Sequence, residues 1–458
     1  MEKLSFQDAA FLRMESAARP FHVAGLMIFR QPENAGPQFL RRLARRLGRL
    51  NELWPVFRKK LQDPSSLRNP CWVAADDYDP NYHIFHYALP APGRMDDLIT
   101  LVSRTHERML DRHRPLWELH LIEGLTGDRF AVYCKVHHAL VDGVGALQMV
   151  NALFSDSPDQ TIDFHSAGKF AERQHHKRTL AKQLVSTSRE LRKHYASIPQ
   201  VSSLLAAMGR DALTGKQDVP ALPFTAPRTI FNTGVDARRE IILTELPLNR
   251  IRQIAKSYGA TVNDILVAIC GGALRKYLLE QGKLPLKSLE AGVPISIKQK
   301  GEQGNQVSFI ICPLFTDVEG PSRRVKGVIK VMSKAKKNFR DMSSTAAQDF
   351  TNMLMMPTIL LTLSGRAGQV APAFNAIISN VPGSKKQLFL EGAPMESMYP
   401  LSVVTDGMAI NLTVVSYQSK LCFAITSCPT HQPGIGTLAS SIKQSYKEVA
   451  AAARELGR

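Results

Sequence analysis

The chain has 458 residues, of which 44% are hydrophobic, 21% charged and 7% aromatic. This composition is typical of a folded protein and excludes a disordered, collagenous or coiled-coil chain, and the length allows about two to four domains. Lysine and arginine (58) outnumber aspartate and glutamate (40), and the net charge of +18 favours polyanionic partners: nucleic acid, acidic lipid surfaces or phosphate-bearing ligands.

The six cysteines are scattered, form no CxxC pair and mostly lie in apolar runs. This pattern predicts buried thiols in a reducing compartment and argues against a disulfide framework or a zinc site. Residues 1–8 lack the basic head and apolar block of a secretory signal. No stretch offers the roughly 20 apolar residues that a spanning helix needs. We therefore expect a cytoplasmic protein whose contact with a membrane is peripheral.

The first 155 residues alternate strand-like and helix-like patterns, which indicates a mixed α/β fold. Strands are predicted over residues 21–29, 117–122 and 130–136, and helices over residues 39–50, 96–109 and 144–153. The helix over residues 39–50 has leucines on one face and arginines on the rest. That pattern fits a helix packed on the core or an interfacial segment that binds lipid.

A polar, basic connector precedes a second α/β segment. In that segment, strands are predicted over residues 240–246, 291–297, 306–314, 374–379, 409–416 and 421–426. Helices are predicted over residues 249–258, over residues 262–279 with Thr261 as N-cap, and over residues 438–456. The simplest architecture is an N-terminal domain (1–155), a basic helical crossover linker (156–228) and a C-terminal domain (229–458).

The segment from His137 to Gly143 reads HHALVDG and follows the strand predicted over residues 130–136. Alternation along that strand puts His138 on its apolar face and His137 on the other, so the two rings should point apart. This divergence argues against a metal site made of both histidines. Asp142 is most simply a turn residue or the partner of a buried arginine.

A neutral imidazole at the end of a buried strand suits a general base that takes a proton from a hydroxyl group. A GxSxG nucleophile elbow is absent from the sequence, and nothing near Cys134 suggests an activated thiol. We therefore expect direct attack by an activated alcohol and no covalent acyl-enzyme.

HHALVDG resembles the HHxxxDG signature of the coenzyme A-dependent acyltransferase superfamily. Further segments accompany it: LSFQDAAFL at residues 4–12, FHVAGL at 21–26, PLW at 115–117, TVND at 261–264 and ISNVPG at 378–383. Together and in this order they resemble the bacterial wax ester synthase/diacylglycerol acyltransferase family, nearly from end to end.

This resemblance implies an α/β fold of two mixed-sheet acyltransferase domains with an active-site tunnel between them. It implies transfer of a fatty acyl group from acyl-CoA to a long-chain alcohol, giving a wax ester, or to diacylglycerol, giving triacylglycerol. Acyl-CoA is then a co-substrate, and neither a metal nor a permanently bound cofactor is expected. Because both acceptors are lipids, peripheral contact with the inner membrane surface or lipid inclusions is expected.

The resemblance also assigns roles to particular residues. His138 matches the catalytic base of the family, His137 and Asp142 its supporting positions, and Gly143 the turn that follows them.

The second motif holds Asn263, whose amide could stabilise the oxyanion of the reaction, and Asp264 in support. Helix capping is the alternative role for polar residues at a helix start.

Cations between residues 323 and 337 are candidates for binding the CoA phosphates or for a solvated helix face. The apolar runs at 265–269 and 353–363 could line the tunnel or the core.

Two other functions remain open from sequence. Another HHxxxDG acyltransferase would share the chemistry but use a soluble or carrier-bound acceptor. A basic nucleic-acid-binding protein would fit the charge, but no recognition-helix, zinc or aromatic-basic motif is present in the sequence, so we expect no nucleic-acid partner.

Overall fold

The computed structural model describes residues 1–141, 153–164, 180–213, 218–297, 306–340 and 342–456. The helices are α1 (Phe6–Met14), α2 (Phe39–Leu47), α3 (Leu50–Leu53), α4 (Met95–His106), α5 (Leu180–Leu213), α6 (Leu248–Tyr258), α7 (Val262–Glu280), α8 (Pro321–Arg340), α9 (Ser344–Leu363) and α10 (Leu438–Leu456). The strands are β1 (Glu2–Lys3), β2 (His22–Arg30), β3 (Lys59–Leu61), β4 (Cys71–Ala74), β5 (Ile84–Ala88), β6 (Trp117–Leu125), β7 (Arg129–His137), β8 (Glu240–Pro247), β9 (Glu290–Ile297), β10 (Gln306–Pro313), β11 (Ala376–Pro382), β12 (Phe389–Leu390), β13 (Ala393–Leu401), β14 (Ile410–Tyr417) and β15 (Lys420–Ser427).

The first sheet has the strand order β12-β13-β2-β7-β6-β5. Its central strands β2, β7 and β6 pair antiparallel, whereas β5 joins β6 in parallel. Helix α2 packs on β5 and β6 and buries Leu40, Leu43 and Leu47. The helix predicted over residues 39–50 thus turns its leucines to the core, and it ends at Leu47.

Strands β12 and β13 come from the later part of the chain but complete this first sheet. β13 pairs antiparallel with β2, with Leu401 opposite Ala24. From β13, the Tyr399 hydroxyl donates to Glu245 Oε1 on β8 at 2.8 Å. These contacts join the two halves of the chain through one strand.

The second sheet has the order β10-β9-β11-β14-β15-β8, with parallel pairs at β9-β11 and β11-β14 and antiparallel pairs elsewhere. Along β15, Phe423 and Ile425 face a core shared with α6, α7, α8 and α10, whereas Cys422 and Ala424 face a core shared with the first half. Each half is therefore a mixed sheet flanked by helices, which confirms the predicted two-domain α/β fold.

Some predictions fall partly outside the described residues. The helix predicted over residues 144–153 does so almost entirely, and of the connector only residues 156–164, 180–213 and 218–228 are described. The boundaries at 155 and 228 remain predictions. Within the described ranges no single helix is long and apolar enough to cross a membrane, although α6 and α7, which meet at 100°, pass that test as a pair.

Candidate active site

His138 is fixed at the end of the central strand of the first sheet. β7 ends at His137, which lies opposite His22 on β2. The next backbone N–H, that of His138, donates to the carbonyl oxygen of Phe21 at 2.9 Å. The His138 backbone is thereby held in register with the segment that enters β2.

The two imidazoles have different surroundings. The His137 side chain is fully buried. His138 is a partly exposed residue, and its ring packs against Phe11 of α1 with the ring centroids 4.6 Å apart. In the described part of the chain no group of three or more His, Cys, Asp or Glu residues could hold a metal ion.

One hydrogen bond of the His137 ring indicates its tautomer. Its Nδ1 accepts the backbone N–H of Ala139 at 3.0 Å and therefore carries a lone pair. The ring proton of the neutral form is thus on Nε2, which lies 3.4 Å from Glu15 Oε1. His137 consequently links the loop after β7 to a carboxylate at the end of α1.

Glu15 is the centre of a buried network that the sequence did not predict. Its Oε1 accepts the Phe21 N–H at 3.0 Å, and its Oε2 accepts two N–H groups of Arg112 at 3.0 and 3.1 Å. Burial raises the pKa of Glu15, but the contact with His137, the Phe21 hydrogen bond and the Arg112 charge outweigh burial and leave the pKa below its usual value. A buried carboxylate thus connects α1, the entry to β2 and the end of β7.

The face of β7 that carries His137 is buried as well, under a layer of polar side chains. Lys135 lies 3.0 Å from a Glu118 oxygen, and His106 Nδ1 lies 2.7 Å from the Tyr133 hydroxyl. His22 Nε2 lies 3.0 Å from the His106 carbonyl oxygen. The apolar face predicted by alternation is therefore only one of two buried faces of this strand.

This polar layer predicts that stability depends on pH. Burial and the charges of Arg239 and Lys135 lower the pKa of His106 to about 3, and burial lowers that of His22 well below its usual value. Both histidines stay neutral in the fold but bind protons when unfolded. Their contribution to stability is therefore complete above about pH 6.5 and is lost as the pH falls below it, by at most about 1.4 kcal/mol per pH unit for each group.

Urea unfolding between pH 7 and pH 5 measures this loss, since Glu15, with its lowered pKa, should add little there. His106→Gln should make the free energy of unfolding less dependent on pH without abolishing the dependence. His22 remains, and it still takes up a proton when the chain unfolds. A free energy of unfolding that does not change over this range would contradict the prediction.

The second sequence motif lies in the other half of the chain. Asp264 forms a reciprocal cap of α7 with Thr261: Asp264 Oδ2 accepts the Thr261 N–H at 2.9 Å, and Thr261 Oγ1 accepts the Asp264 N–H at 3.3 Å. Lys336 Nζ lies 3.1 Å from Asp264 Oδ1. The capping role is therefore filled by Thr261 and Asp264, while Asn263 sits partly exposed between them. Asp142 and Gly143 lie outside the described residues.

Several of the cations proposed for the CoA phosphates have structural contacts. Contacts within the chain engage four of them: Arg324 with the carbonyl oxygens of Val318 and Glu319, Lys330 with Asp218, Lys334 with Asp211, and Lys336 with Asp264. Arg323, Lys326 and Lys337 are exposed on α8. Only part of this basic helix is thus available to an anionic ligand.

Comparison with known proteins identifies the family. The model of the wax ester synthase/diacylglycerol acyltransferase catalytic domain matches residues 4–266, and that of the WS/DGAT C-terminal domain matches residues 303–450. The chain belongs to the wax ester synthase/diacylglycerol acyltransferase family. Membership in this family confirms the resemblance and makes the protein an acyltransferase.

Relatives of this family match over nearly the whole chain. The probable diacylglycerol O-acyltransferase tgs2 of Mycobacterium tuberculosis is 36% identical over 454 residues, covering 98% of this chain and 99% of that protein. The O-acyltransferase WSD of Acinetobacter baylyi is 33% identical and covers 96% and 95%. A solved wax ester synthase/diacylglycerol acyltransferase from Marinobacter aquaeolei VT8 is 32% identical, with a TM-score of 0.76 and coverage of 99% and 100%.

Proposed function

We propose that the protein transfers a fatty acyl group from acyl-CoA to the hydroxyl of a long-chain alcohol or of diacylglycerol, with His138 as general base. The observation that carries this proposal is the His138 imidazole at the end of β7. Its backbone N–H is hydrogen-bonded to the Phe21 carbonyl oxygen, its ring packs against Phe11, and the residue as a whole is partly exposed. The names of the relatives supply the acceptor classes.

In the proposed reaction an imidazole nitrogen of His138 takes the hydroxyl proton as the alcohol oxygen attacks the thioester carbon. The resulting oxyanion collapses, the C–S bond breaks, and the imidazolium returns its proton to the CoA thiolate. No covalent acyl-enzyme is needed. Burial raises the pKa of Cys134 to about 12, which keeps this neighbouring thiol protonated and unsuited as a nucleophile.

His137 and Glu15 act as positioning residues in this scheme, because they hold the loop that carries His138. Asn263 is proposed to donate a hydrogen bond from its side-chain amide to the oxyanion. Thr261 and Asp264 form the cap of α7, so Asn263 is not needed for that role. Loss of one such donor costs about 3 to 4 kcal/mol of transition-state stabilisation.

Both acceptor classes are nearly insoluble in water, so the proposal places the enzyme at the inner membrane surface or on lipid inclusions. Acyl-CoA is its co-substrate, and a tunnel between the two halves would exclude water from the thioester. The leucines of α2 are buried in the core, so that helix does not offer an apolar face to lipid.

A product assay tests the proposal. With palmitoyl-CoA, and hexadecanol and dioleoylglycerol in competition, we expect wax ester, triacylglycerol or both, with one CoA released per ester formed. The same mixture with a His138→Ala variant controls for spontaneous hydrolysis. Failure with both lipids, together with transfer to a carrier-bound acceptor, would favour the alternative HHxxxDG activity.

A further inference from the structure

Helix α9 combines one buried face with a long uncharged sequence. Residues 350–365 contain no Asp, Glu, Lys, Arg or His. Phe350 and Leu354 are buried, and Leu354 packs with Ile311 of β10 and with Phe374. The helix is therefore anchored on the second sheet by one side.

The opposite side of α9 presents large apolar side chains to solvent. Met353 is 38% exposed, Leu360 59% and Leu363 49%, and their spacing places them along one side of a helix. We call these three residues the α9 face. A group of exposed large apolar residues of this kind marks contact with a lipid or protein surface.

Cations flank this face at its C-terminal end. Arg366 follows the helix and is exposed, and the exposed Arg228 donates to the carbonyl oxygens of Gly368 and Gln369. Apolar side chains beside cations are the combination that binds anionic bilayers: the first enter the interface and the second attract headgroups. The excess of basic residues over the whole chain acts in the same direction.

The α9 face adjoins the elements that hold the proposed base. Helix α1 packs against α9, and Phe11 of α1 contacts the ring of His138. Just beyond the C-terminal end of α9, the backbone at Gly407 closely approaches Ala367, and the neighbouring Asp406 binds Arg19 at 2.5 Å. Arg19 lies in the segment between α1 and β2 that enters the His138 site.

We propose that the α9 face docks on the anionic surface of a lipid bilayer, so that a lipid acceptor leaves the bilayer beside α1 and reaches His138 without crossing water. The route of the acceptor rests on the proposed function, whereas the docking does not. Docking places α9 at the headgroup boundary and keeps its buried side on the second sheet.

Co-sedimentation with vesicles of equimolar phosphatidylcholine and phosphatidylglycerol tests the docking. The double variant Leu360→Glu/Leu363→Glu should bind at least about 10-fold more weakly than the wild type. It loses two apolar side chains, and its two new negative charges are repelled by the negatively charged headgroups. The matched control is Leu279→Glu, since Leu279 is 51% exposed at the end of α7. This control should bind like the wild type.

Any of three results would overturn the docking: a wild type that does not bind, a double variant that binds normally, or an equal loss in the control. A wild-type dimer that the double variant dissociates would instead assign the face to a second copy. Thermal unfolding followed by circular dichroism checks the fold. Should the glutamates prevent folding, Leu360→Ser/Leu363→Ser must still weaken binding for the proposal to stand.

Activity separates this proposal from the enzymatic one. The double variant should keep transfer to hexadecanol dispersed in detergent and lose transfer to diacylglycerol embedded in vesicles. Wild-type protein that binds vesicles but esterifies neither acceptor would overturn the acyl transfer and the acceptor route while supporting the docking.

Discussion

Replacing His138 with alanine should lower kcat by about 10²- to 10⁴-fold, with KM for acyl-CoA nearly unchanged. The substitution removes the proposed proton acceptor. It keeps the hydrogen bond from the backbone N–H of residue 138 to the Phe21 carbonyl oxygen. Because His138 is only partly buried and its ring packs on a single aromatic neighbour, Phe11, the loss of the ring should cost little stability. Steady-state CoA release with palmitoyl-CoA and hexadecanol measures the effect, and thermal unfolding confirms the fold.

His86→Ala is the matched control, because His86 is an exposed histidine on β5 whose ring lies 3.3 Å from Glu123. This variant should keep wild-type activity. The acidic limb of the pH–rate profile should be present in the wild type and absent from the residual activity of His138→Ala. Full activity in His138→Ala would remove the imidazole from the mechanism.

Glu15→Ala should destabilise the protein by about 3 to 5 kcal/mol, because it leaves the Arg112 guanidinium and the Phe21 N–H without their buried acceptor. It should also lower kcat more than it changes KM, since His137 loses the carboxylate opposite its Nε2. Urea unfolding measures the first effect. Kinetics at a temperature at which the variant stays folded measure the second.

Two controls separate the network from a general charge effect. Glu15→Gln keeps the shape and one acceptor and should fall between wild type and alanine. Glu52→Ala removes an exposed ion pair with Arg49 and should leave the free energy of unfolding nearly unchanged, because solvent screens such pairs. A Glu15→Ala protein as stable as Glu52→Ala would show that the buried network does not stabilise the site.

Local sequence signals predicted most of the described strands and the helices α2, α4, α6, α7 and α10. The strand predicted over residues 240–246 occupies Glu240–Pro247, and the final helix occupies Leu438–Leu456 as predicted. Thr261 caps α7 through its side chain, and Gly259 ends α6 in the left-handed conformation. Alternation, capping and glycine conformations act over a few residues, so one segment suffices to reveal them.

These local patterns could not predict contacts between residues that are far apart in the sequence. Nothing local distinguishes Glu15 and Arg112 from surface charges, because their partners lie far away in sequence. Likewise, the sequence pattern of α2 allowed both a core helix and a lipid-binding one, and its packing on β5 and β6 shows that the leucines face the core. The apolar run at residues 353–363 fitted a tunnel or the core, whereas the structure exposes one side of it.

The pairing of β13 with β2 has a consequence for how the chain matures. Until residues 393–401 have left the ribosome, β2 presents an unpaired edge, which in nascent chains invites aggregation. The first half cannot complete its sheet alone, so a fragment that ends before β12 should depend on chaperones or precipitate. The long sequence separation of this pairing should also make folding slow. If the two halves were expressed as separate chains, the second half would have to bind β2 before the first half aggregated.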